Sequence, residues 1–358
     1  MNYSLCKDFL NSKKIIYPMA EYLSDYLRSK EDFSPWSVEI HPTAKCNHRC
    51  IHCSYKERNE SRAEMPKEIF QSLIESLIRI KVHGVYFSGG GEPCAYENLS
   101  NGIHTLKQNG VESALITNGT LFERMGLMEV ANCINYIAFS VPSCTDQMYE
   151  KITGRNFMEA VLSLPTKIKE RWGDAAPILG ARVVVTNLIA EEVPHILATL
   201  KERNFDYALF KIVRDYEDRG LGVSEEMSKM LKDEVQKLKE KGELNPSFTN
   251  LDRIFAYRKP YNPDGICHIN RMGLLAAVTP EGDVYPNISE IGHEEFKVGN
   301  LHEQSFEEIW NGEIHKRVKD VSDKQWQASK CKNCRAISYN LRIQDMVSHL
   351  PCEEDPFI

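Results

Sequence analysis

Three cysteines close together near residue 50 are the residues of this sequence best suited to bind metal. Cys46, Cys50 and Cys53 lie in the string CNHRCIHC, and the residues between them are too polar for a buried helix face. A structural zinc site usually pairs two Cys-x2-Cys motifs, so a single triplet supplies one ligand too few. Three thiolates can instead hold three irons of a four-iron cluster and leave the fourth iron open. The triplet therefore predicts a [4Fe–4S] cluster with one exchangeable coordination site.

A second group of cysteines lies in the C-terminal third of the chain. Its members are Cys267, Cys331, Cys334 and Cys352. The chain has 11 cysteines, an odd number that excludes complete internal pairing, and disulfides are rare in a reducing compartment. We interpret this second group as metal ligands, with a zinc knuckle or a metal-free fold as the alternatives.

Six short β-rich runs, separated by helical patterns, must position these residues. The runs span 36–41, 84–88, 113–117, 136–141, 181–185 and 207–213. The helical patterns between them include 66–80, 98–110 and 191–204. Alternation of this kind predicts parallel strands joined by helical crossovers. We therefore expect an α/β fold, an open (β/α)6 partial TIM-type barrel.

The pattern changes after about residue 250. An amphipathic covering helix is predicted over 224–243, and two β runs around Pro-Glu-Gly-Asp predict a hairpin within 274–288. Ser305 and Glu308 form a capping-box signal at the start of a helix over 305–320. We predict three regions: an N-terminal helical extension (1–35), the barrel (36–250) and a small C-terminal α+β auxiliary iron–sulfur domain (251–358).

The composition is that of a globular protein. Apolar residues make up 42% and charged residues 27% of the 358 residues, and the net charge of −7 argues against binding nucleic acid or an anionic membrane. No stretch approaches the ~20 consecutive apolar residues of a membrane span. The N-terminal MNYSLCKDFLNSKKII has charges where a signal peptide needs an apolar segment. We expect a cytoplasmic protein with no nucleic-acid or membrane partner.

Several glycines and polar residues lie at or after the ends of the predicted strands. They are Gly90, Gly91 and Glu92 in FSGGGEP, Asn118 in ITNG, Ser140 at the end of the fourth run and Arg182 in the fifth. In barrels of parallel strands, functional sites assemble at the C-terminal ends of the strands. We therefore expect these residues to lie around the cysteine triplet, which follows the first strand.

The spacing Cys-x3-Cys-x2-Cys after a first strand resembles the signature of radical S-adenosylmethionine (radical SAM) enzymes. The resemblance implies that the open iron binds the amino and carboxylate groups of S-adenosylmethionine (SAM), and that reduction splits SAM to give a 5′-deoxyadenosyl radical. It implies that His52 lies against the adenine of SAM and that Gly90, Gly91 and Glu92 lie at its amino group. It also implies that Asn118 lies near the cofactor, that Ser140 contacts the ribose and that Arg182 contacts the carboxylate. A structural ion pair is the alternative role for Arg182. Pro142 stands where the family commonly has an acidic residue.

The C-terminal cysteines resemble those of the SPASM extension, or of its shortened relative the twitch domain, which hold auxiliary iron–sulfur clusters. Asn287 and Asn340 stand where the full extension has cysteines, so a complete two-cluster set is not expected. The implied ligands of one auxiliary cluster are Cys267, Cys331 and Cys334, with Cys352, Asn287 or the substrate as the fourth.

The remaining candidates concern the substrate. They are Cys94 and Cys144, whose thiols can return a hydrogen atom, and Lys211, Arg214 and Asp215, which can grip a polar group or take its proton. We predict an oxidoreductase or maturase that abstracts hydrogen from a carbon of a peptide or small polar substrate, with a reductant such as flavodoxin or ferredoxin. The alternatives are a radical epimerase or dehydrogenase of a sugar or aminocyclitol, and a non-catalytic iron–sulfur protein for structure or electron transfer.

Overall fold

The computed structural model describes residues 34–215, 218–255, 266–327, 334 and 336–348. The predicted N-terminal helical extension over 1–35 lies almost wholly outside the described residues, as do Cys331 and Cys352.

One sheet organises the described part of the chain. Its strands are β1 Ser37–Ile40, β2 Gly84–Phe87, β3 Glu112–Thr117, β4 Tyr136–Ser140, β5 Ile178–Val185, β6 Tyr207–Ile212, β7 Leu275–Val278, β8 Asp283–Tyr285 and β9 Gly299–Asn300. The strand order is β6-β5-β4-β3-β2-β1-β7-β8-β9, and β1 to β6 are parallel to their neighbours. Because β6 and β9 are the outermost strands, the sheet is open, and the predicted partial barrel is confirmed.

Helices cover the outer face of the parallel strands and extend through the C-terminal region. They are α1 Lys67–Arg79, α2 Leu99–Gln108, α3 Asp146–Thr153, α4 Met158–Trp172, α5 Val193–Glu202, α6 Glu225–Glu240, α7 His268–Arg271, α8 Phe306–Trp310, α9 Glu313–Gln327 and α10 Ile337–Ser348. Alternate strand residues such as Val38 and Ile40 join the apolar core beneath the helices. Since side chains alternate along a strand, Glu39 faces the concave side of the sheet.

The C-terminal region extends the same sheet and builds no second one among the described residues. Strand β7 lies parallel to β1, with Ser37 opposite Leu275 and Ile40 opposite Val278. The predicted hairpin is confirmed, because β7 and β8 are antiparallel with Ala277 opposite Tyr285. Strand β1, which leads into the cysteine triplet, is therefore central, with parallel partners on both sides.

The helix predicted over 305–320 proved to be two helices. The capping box is present, with the Ser305 side chain accepting from the Glu308 N–H and the Glu308 carboxylate accepting from the Ser305 N–H. Helix α8 nevertheless ends at Trp310, and α9 starts at Glu313. Asn and Gly at 311–312 have low helix propensity, which accounts for the break.

Candidate functional site

The cysteine triplet lies on a loop between β1 and α1, here called the cysteine loop (residues 42–56). The Arg49 N–H donates to the Thr153 carbonyl over 2.9 Å, and the Ile51 N–H donates to the Ile152 carbonyl over 3.0 Å. Both acceptors lie at the end of α3. The backbone between the cysteines is thus fixed by neighbouring structure while the thiols remain available.

The three thiols of the loop lie close enough to influence one another. Burial raises the pKa of Cys46 to about 11, and the nearby Glu92 and Cys53 add to the shift. Burial raises the pKa of Cys50 to about 12, with further contributions from Cys46 and Cys53. None of the three forms a disulfide. Binding of a soft metal centre would displace the three thiol protons. Coordination to the metal would offset the free-energy cost of placing three thiolate charges close together in a partly buried site.

Among the described residues, no three His, Cys, Asp or Glu side chains converge tightly enough for a single metal ion. An iron–sulfur cube differs from a single ion, because each thiolate binds a different iron and the ligands lie farther apart. Three thiolates that leave one iron open are the ligand set that such a cluster needs.

The predicted Gly-Gly-Glu element runs beside the cysteine loop. The Gly91 N–H donates to the Thr43 carbonyl over 3.0 Å, and the Glu92 N–H donates to the Lys45 carbonyl over 2.8 Å. A Cβ atom on Gly91 would lie 2.3 Å from the Lys45 carbonyl oxygen. Glycine is required here because two backbones approach too closely for a side chain.

Glu92 connects the loops after β2 and β3. Its carboxylate accepts hydrogen bonds from the Cys94 N–H (3.0 Å), the Asn118 N–H (2.7 Å) and the Thr117 hydroxyl. The residue is 2% exposed, and burial raises its pKa while these hydrogen bonds oppose the shift. Both carboxylate oxygens thus stabilise the loops in this structure, and the contact with the cofactor amino group remains a prediction.

Replacing Glu92 with Gln is expected to lower the free energy of unfolding by about 2 kcal/mol, because an amide NH2 would face a buried donor. We also expect poorer retention of iron, since the loops beside the triplet lose their connection. Urea unfolding and iron analysis under anaerobic conditions measure both effects. The exposed Glu97→Gln is the matched control, and equal behaviour of the two variants would contradict the role of Glu92.

Asn118 also connects the β3 loop to the cysteine loop. Its side-chain amide donates to Asn47 Oδ1 over 2.9 Å, and the Asn47 amide donates to the Thr120 hydroxyl over 2.7 Å. The Thr120 hydroxyl in turn donates to Asn118 Oδ1 over 2.7 Å. Our sequence analysis missed Asn47 and Thr120, although the Asn directly after Cys46 was a signal.

Unpartnered buried polar atoms around the loop test whether SAM fits here. His48 Nε2, His52 Nδ1 and Arg182 Nε are buried with no hydrogen-bond partner in the described structure. Arg182 lies opposite Ser140 in the strand register, as expected if the two contact one ligand. A polar cofactor beside the triplet can satisfy such groups, so the residues fit SAM. His52, Gly90, Gly91, Asn118, Ser140 and Arg182 remain its predicted contacts.

Two of the C-terminal cysteines lie in a second, smaller apolar cluster. Cys267 packs there with residues including Ile269 and Met272, and Cys334 lies against the same cluster. Burial raises the pKa of the Cys334 thiol, and this shift is opposed by its hydrogen bond to the Ser289 hydroxyl and by the one it accepts from the Ala336 N–H. The structure thus brings Cys267 and Cys334 into one region. Cys331 and Cys352 lie outside the described residues, so their roles as ligands stay predictions.

The asparagines that replace family cysteines have structural contacts. Asn287 accepts from the Ser289 N–H over 2.8 Å and donates to Asn270 Oδ1 over 2.9 Å. Asn340 accepts from the Ile269 N–H over 3.1 Å and donates to the Ile266 carbonyl over 2.8 Å. The Asn340 contacts support the backbone on both sides of Cys267, and Asn287 as the fourth ligand stays a prediction.

Cys94 and Cys144 are buried within the main apolar core. The Cys94 sulfur lies 3.1 Å from the Thr117 hydroxyl, and Cys144 is hydrogen-bonded to Thr199 of α5. Burial raises the pKa of Cys144 to about 12 and that of Cys94 well above its usual value. Both thiols are buried in this structure, and their catalytic roles stay predictions.

Lys211, Arg214 and Asp215 lie at the C-terminal end of β6 and after it. A small cleft separates this segment from the cysteine loop, and its lining includes His52, Cys53, Arg214 and Asp215. The Asp215 carboxylate accepts from two backbone N–H groups of its own loop, which lowers its pKa. Asp215 therefore shapes the loop, while Lys211 is exposed and Arg214 borders the cleft.

Comparison with known proteins agrees with this fold and site. The family model of the radical SAM superfamily matches residues 40–200, and that of SPASM, an iron–sulfur cluster-binding domain, matches residues 267–335. The chain is 22% identical to the Fe-coproporphyrin III synthase of Methanosarcina barkeri across 93% of this chain and 88% of that protein. It is 24% identical to a tungsten-containing aldehyde ferredoxin oxidoreductase cofactor-modifying protein of Pyrococcus furiosus, across 47% of this chain and 48% of that one.

Solved structures show the same architecture. The structure of anSMEcpe with bound AdoMet superposes with a TM-score of 0.61 at 18% identity, covering 86% of this chain and 85% of that one. The SAM-bound structure of SuiB from Streptococcus suis gives 0.64 at 15% identity, covering 91% and 76%. At these identities the similarity shows the fold.

Residues 40–200 therefore form a radical SAM domain, and residues 267–335 form a SPASM domain. The radical SAM domain binds a [4Fe–4S] cluster together with SAM, and the SPASM domain binds auxiliary iron–sulfur clusters. The helices in the described ranges include none with the length and apolar character needed to cross a bilayer.

Proposed function

We propose that this protein oxidises a small polar substrate or a peptide, bound on the concave face between the cysteine loop and the C-terminal cysteines, by removing a hydrogen atom from carbon. When bound, the cluster and SAM supply the 5′-deoxyadenosyl radical that takes this atom. The observation that carries the proposal is the polarity of the concave face. Glu39, Tyr86, Tyr136 and Arg182 occupy inward strand positions, whereas the alternate outward residues are apolar.

The polar groups of the concave face form a connected set. His41 and Glu39 are hydrogen-bonded over 2.9 Å, and Glu39 also bonds to Tyr86. Arg182 lies near Tyr86 and Tyr207, where its positive charge opposes the rise in their pKa caused by burial. Such donors and acceptors suit a substrate that carries polar groups.

An oxidation is favoured over an epimerisation by the positions of the cysteines. An epimerase needs a hydrogen donor beside the substrate radical, and thiols suit that role. In the described part of the chain, Cys94 and Cys144 lie in the core, and Cys133 packs against it from the outer side. For an oxidation, the SPASM region can take up the electron that the substrate loses, and Lys211 or Arg214 can hold a polar group.

The names of similar proteins leave both substrate classes in the proposal. One relative that matches nearly the whole chain is a synthase of Fe-coproporphyrin III, and SuiB has been solved with its precursor peptide SuiA. We propose that a flavodoxin or ferredoxin supplies the initial electron, as this chemistry requires a one-electron donor of low potential.

The test uses anaerobically reconstituted protein with dithionite, SAM and extract from cells grown in deuterated medium. The extract is divided into a small-molecule fraction and a peptide fraction. We expect one fraction to transfer deuterium into 5′-deoxyadenosine, detected by mass spectrometry, and that fraction identifies the substrate class. Formation of 5′-deoxyadenosine without deuterium from either fraction would argue against hydrogen abstraction from such substrates. No 5′-deoxyadenosine at all, despite full iron loading, would favour a non-catalytic protein.

A further inference from the structure

The loop after β6 grips the cysteine loop through one arginine that the sequence did not single out. Arg219 Nη1 donates to the Cys53 carbonyl over 2.9 Å and to the Ile51 carbonyl over 3.1 Å. Both acceptors belong to the backbone on either side of His52. One guanidinium nitrogen therefore holds the segment that ends in the third cysteine.

The loop that carries Arg219 is itself held in place. Asp215 accepts from the Arg219 N–H over 2.9 Å and from the Leu221 N–H over 2.8 Å. The Asn187 side chain donates to the Gly220 carbonyl over 2.8 Å, and the Asn187 N–H donates to the Leu221 carbonyl. These bonds restrict the backbone around Arg219, so its side chain starts from a fixed position.

The charge of Arg219 reaches the cysteine loop. Its guanidinium donates to the carbonyls on both sides of His52, so the positive charge lies beside the backbone of Cys53. Arg219 also lines the cleft that it shares with His52 and Cys53. Asp215 is the nearby carboxylate, and its oxygens are engaged by N–H groups of its own loop. A cation in this place acts on any charge carried by the sulfur of Cys53.

We propose that Arg219 is a positioning residue of the radical SAM site, which fixes the loop around Cys53 and stabilises the more negative, reduced state of the cluster through its charge. Reduction potentials of iron–sulfur clusters depend on net charge, hydrogen bonding and solvent exposure. A fixed cation beside one ligand favours the state with one more electron. Arg219 contacts neither substrate nor reacting atoms in this proposal.

The test compares three variants of the reconstituted full-length protein. It separates the effect of the Arg219 charge from the effect of its hydrogen bonds to the cysteine loop. Arg219→Gln keeps an uncharged N–H donor on a shorter side chain and removes the charge, and Arg219→Lys keeps the charge. Arg203→Gln is the matched control, because Arg203 pairs with Glu159 on the surface. Iron and sulfide content are measured first. The reduction potential of the cluster at the triplet is then obtained by redox titration, followed through the EPR signal that changes when SAM is added.

We expect the Arg219→Gln variant to retain its iron. At a fixed solution potential, its ratio of reduced to oxidised cluster is expected to be about three- to tenfold lower than that of the unmodified protein. Arg219→Lys and Arg203→Gln are expected to titrate like the unmodified protein. A Gln variant with an unchanged ratio would overturn the proposal, as would a Lys variant that changes as much as Gln. If the Gln variant loses iron, the result depends on the Lys variant. Normal iron content and a normal reduction potential in the Lys variant support the proposal, and a lower iron content or a changed potential overturns it.

Discussion

Anaerobically reconstituted Cys50→Ala protein is expected to lack the iron of one [4Fe–4S] cluster and to form no 5′-deoxyadenosine with SAM and dithionite. Cys50 is the middle residue of the triplet, and its half-buried thiol is influenced by Cys46 and Cys53 on either side. Two thiolates cannot hold three irons of the cube, so the site that binds SAM is lost with the ligand. Iron analysis and chromatography of the products measure both losses.

Two matched variants sharpen this test. Cys133→Ala removes a half-buried thiol that packs against the main core, and it is expected to keep all iron and all SAM cleavage. Cys267→Ala is expected to lose iron from the C-terminal region and still cleave SAM slowly without substrate. Full iron and normal cleavage in Cys50→Ala would remove this residue from the ligand set and contradict the assignment of the triplet.

Gly91→Ala is expected to be almost as damaging, although position 91 carries no functional group. The new Cβ would lie 2.3 Å from the Lys45 carbonyl oxygen, 2.6 Å from the Ala44 carbonyl carbon and 2.7 Å from the Thr43 carbonyl oxygen. All three are backbone atoms of the cysteine loop, so the loop has to move and its hydrogen bonds to Gly91 and Glu92 are lost. We expect the free energy of unfolding to fall by about 3 kcal/mol.

Gly222→Ala is the matched control for this substitution. A Cβ on Gly222 meets no atom within 4 Å, and its backbone is outside the left-handed region. The control is expected to be neutral or stabilising by about 0.5 kcal/mol, through a less flexible unfolded chain. Urea unfolding of both apoproteins and iron uptake on reconstitution are the measurements. Equal stability and equal iron in the two variants would show that the cysteine loop tolerates displacement.

Much of the barrel was predictable because its signals are local. The six strand patterns fell on observed strands, and Pro66 directly precedes α1, as its suitability for a helix start predicts. The prediction placed the fifth strand at 181–185, but β5 begins at Ile178. Glycine is unfavourable inside a strand, so Gly180 hides the first residues of β5 in the sequence pattern. The structure explains this glycine, since the ring of Tyr207 occupies the space that a Cβ would need.

The parts of the site that sequence analysis missed depend on contacts between distant residues. Arg219 and Cys53 are 166 positions apart, and nothing in the sequence around Arg219 indicates that it contacts the cysteine loop. The pairing of Asn47 with Asn118 spans 71 positions. Proximity to a strand end likewise does not show how deeply a side chain is buried, as the buried Cys94 and Cys144 illustrate.

The central position of β1 has a consequence for how the protein is made. Its second parallel neighbour, Leu275–Val278, is translated long after β1 has left the ribosome. Until then one edge of β1 exposes unpaired backbone groups, a state that favours aggregation with other nascent chains. Chaperone binding to the unfinished polypeptide would cover this edge. We expect the iron–sulfur cluster to be inserted after the completed chain has been released.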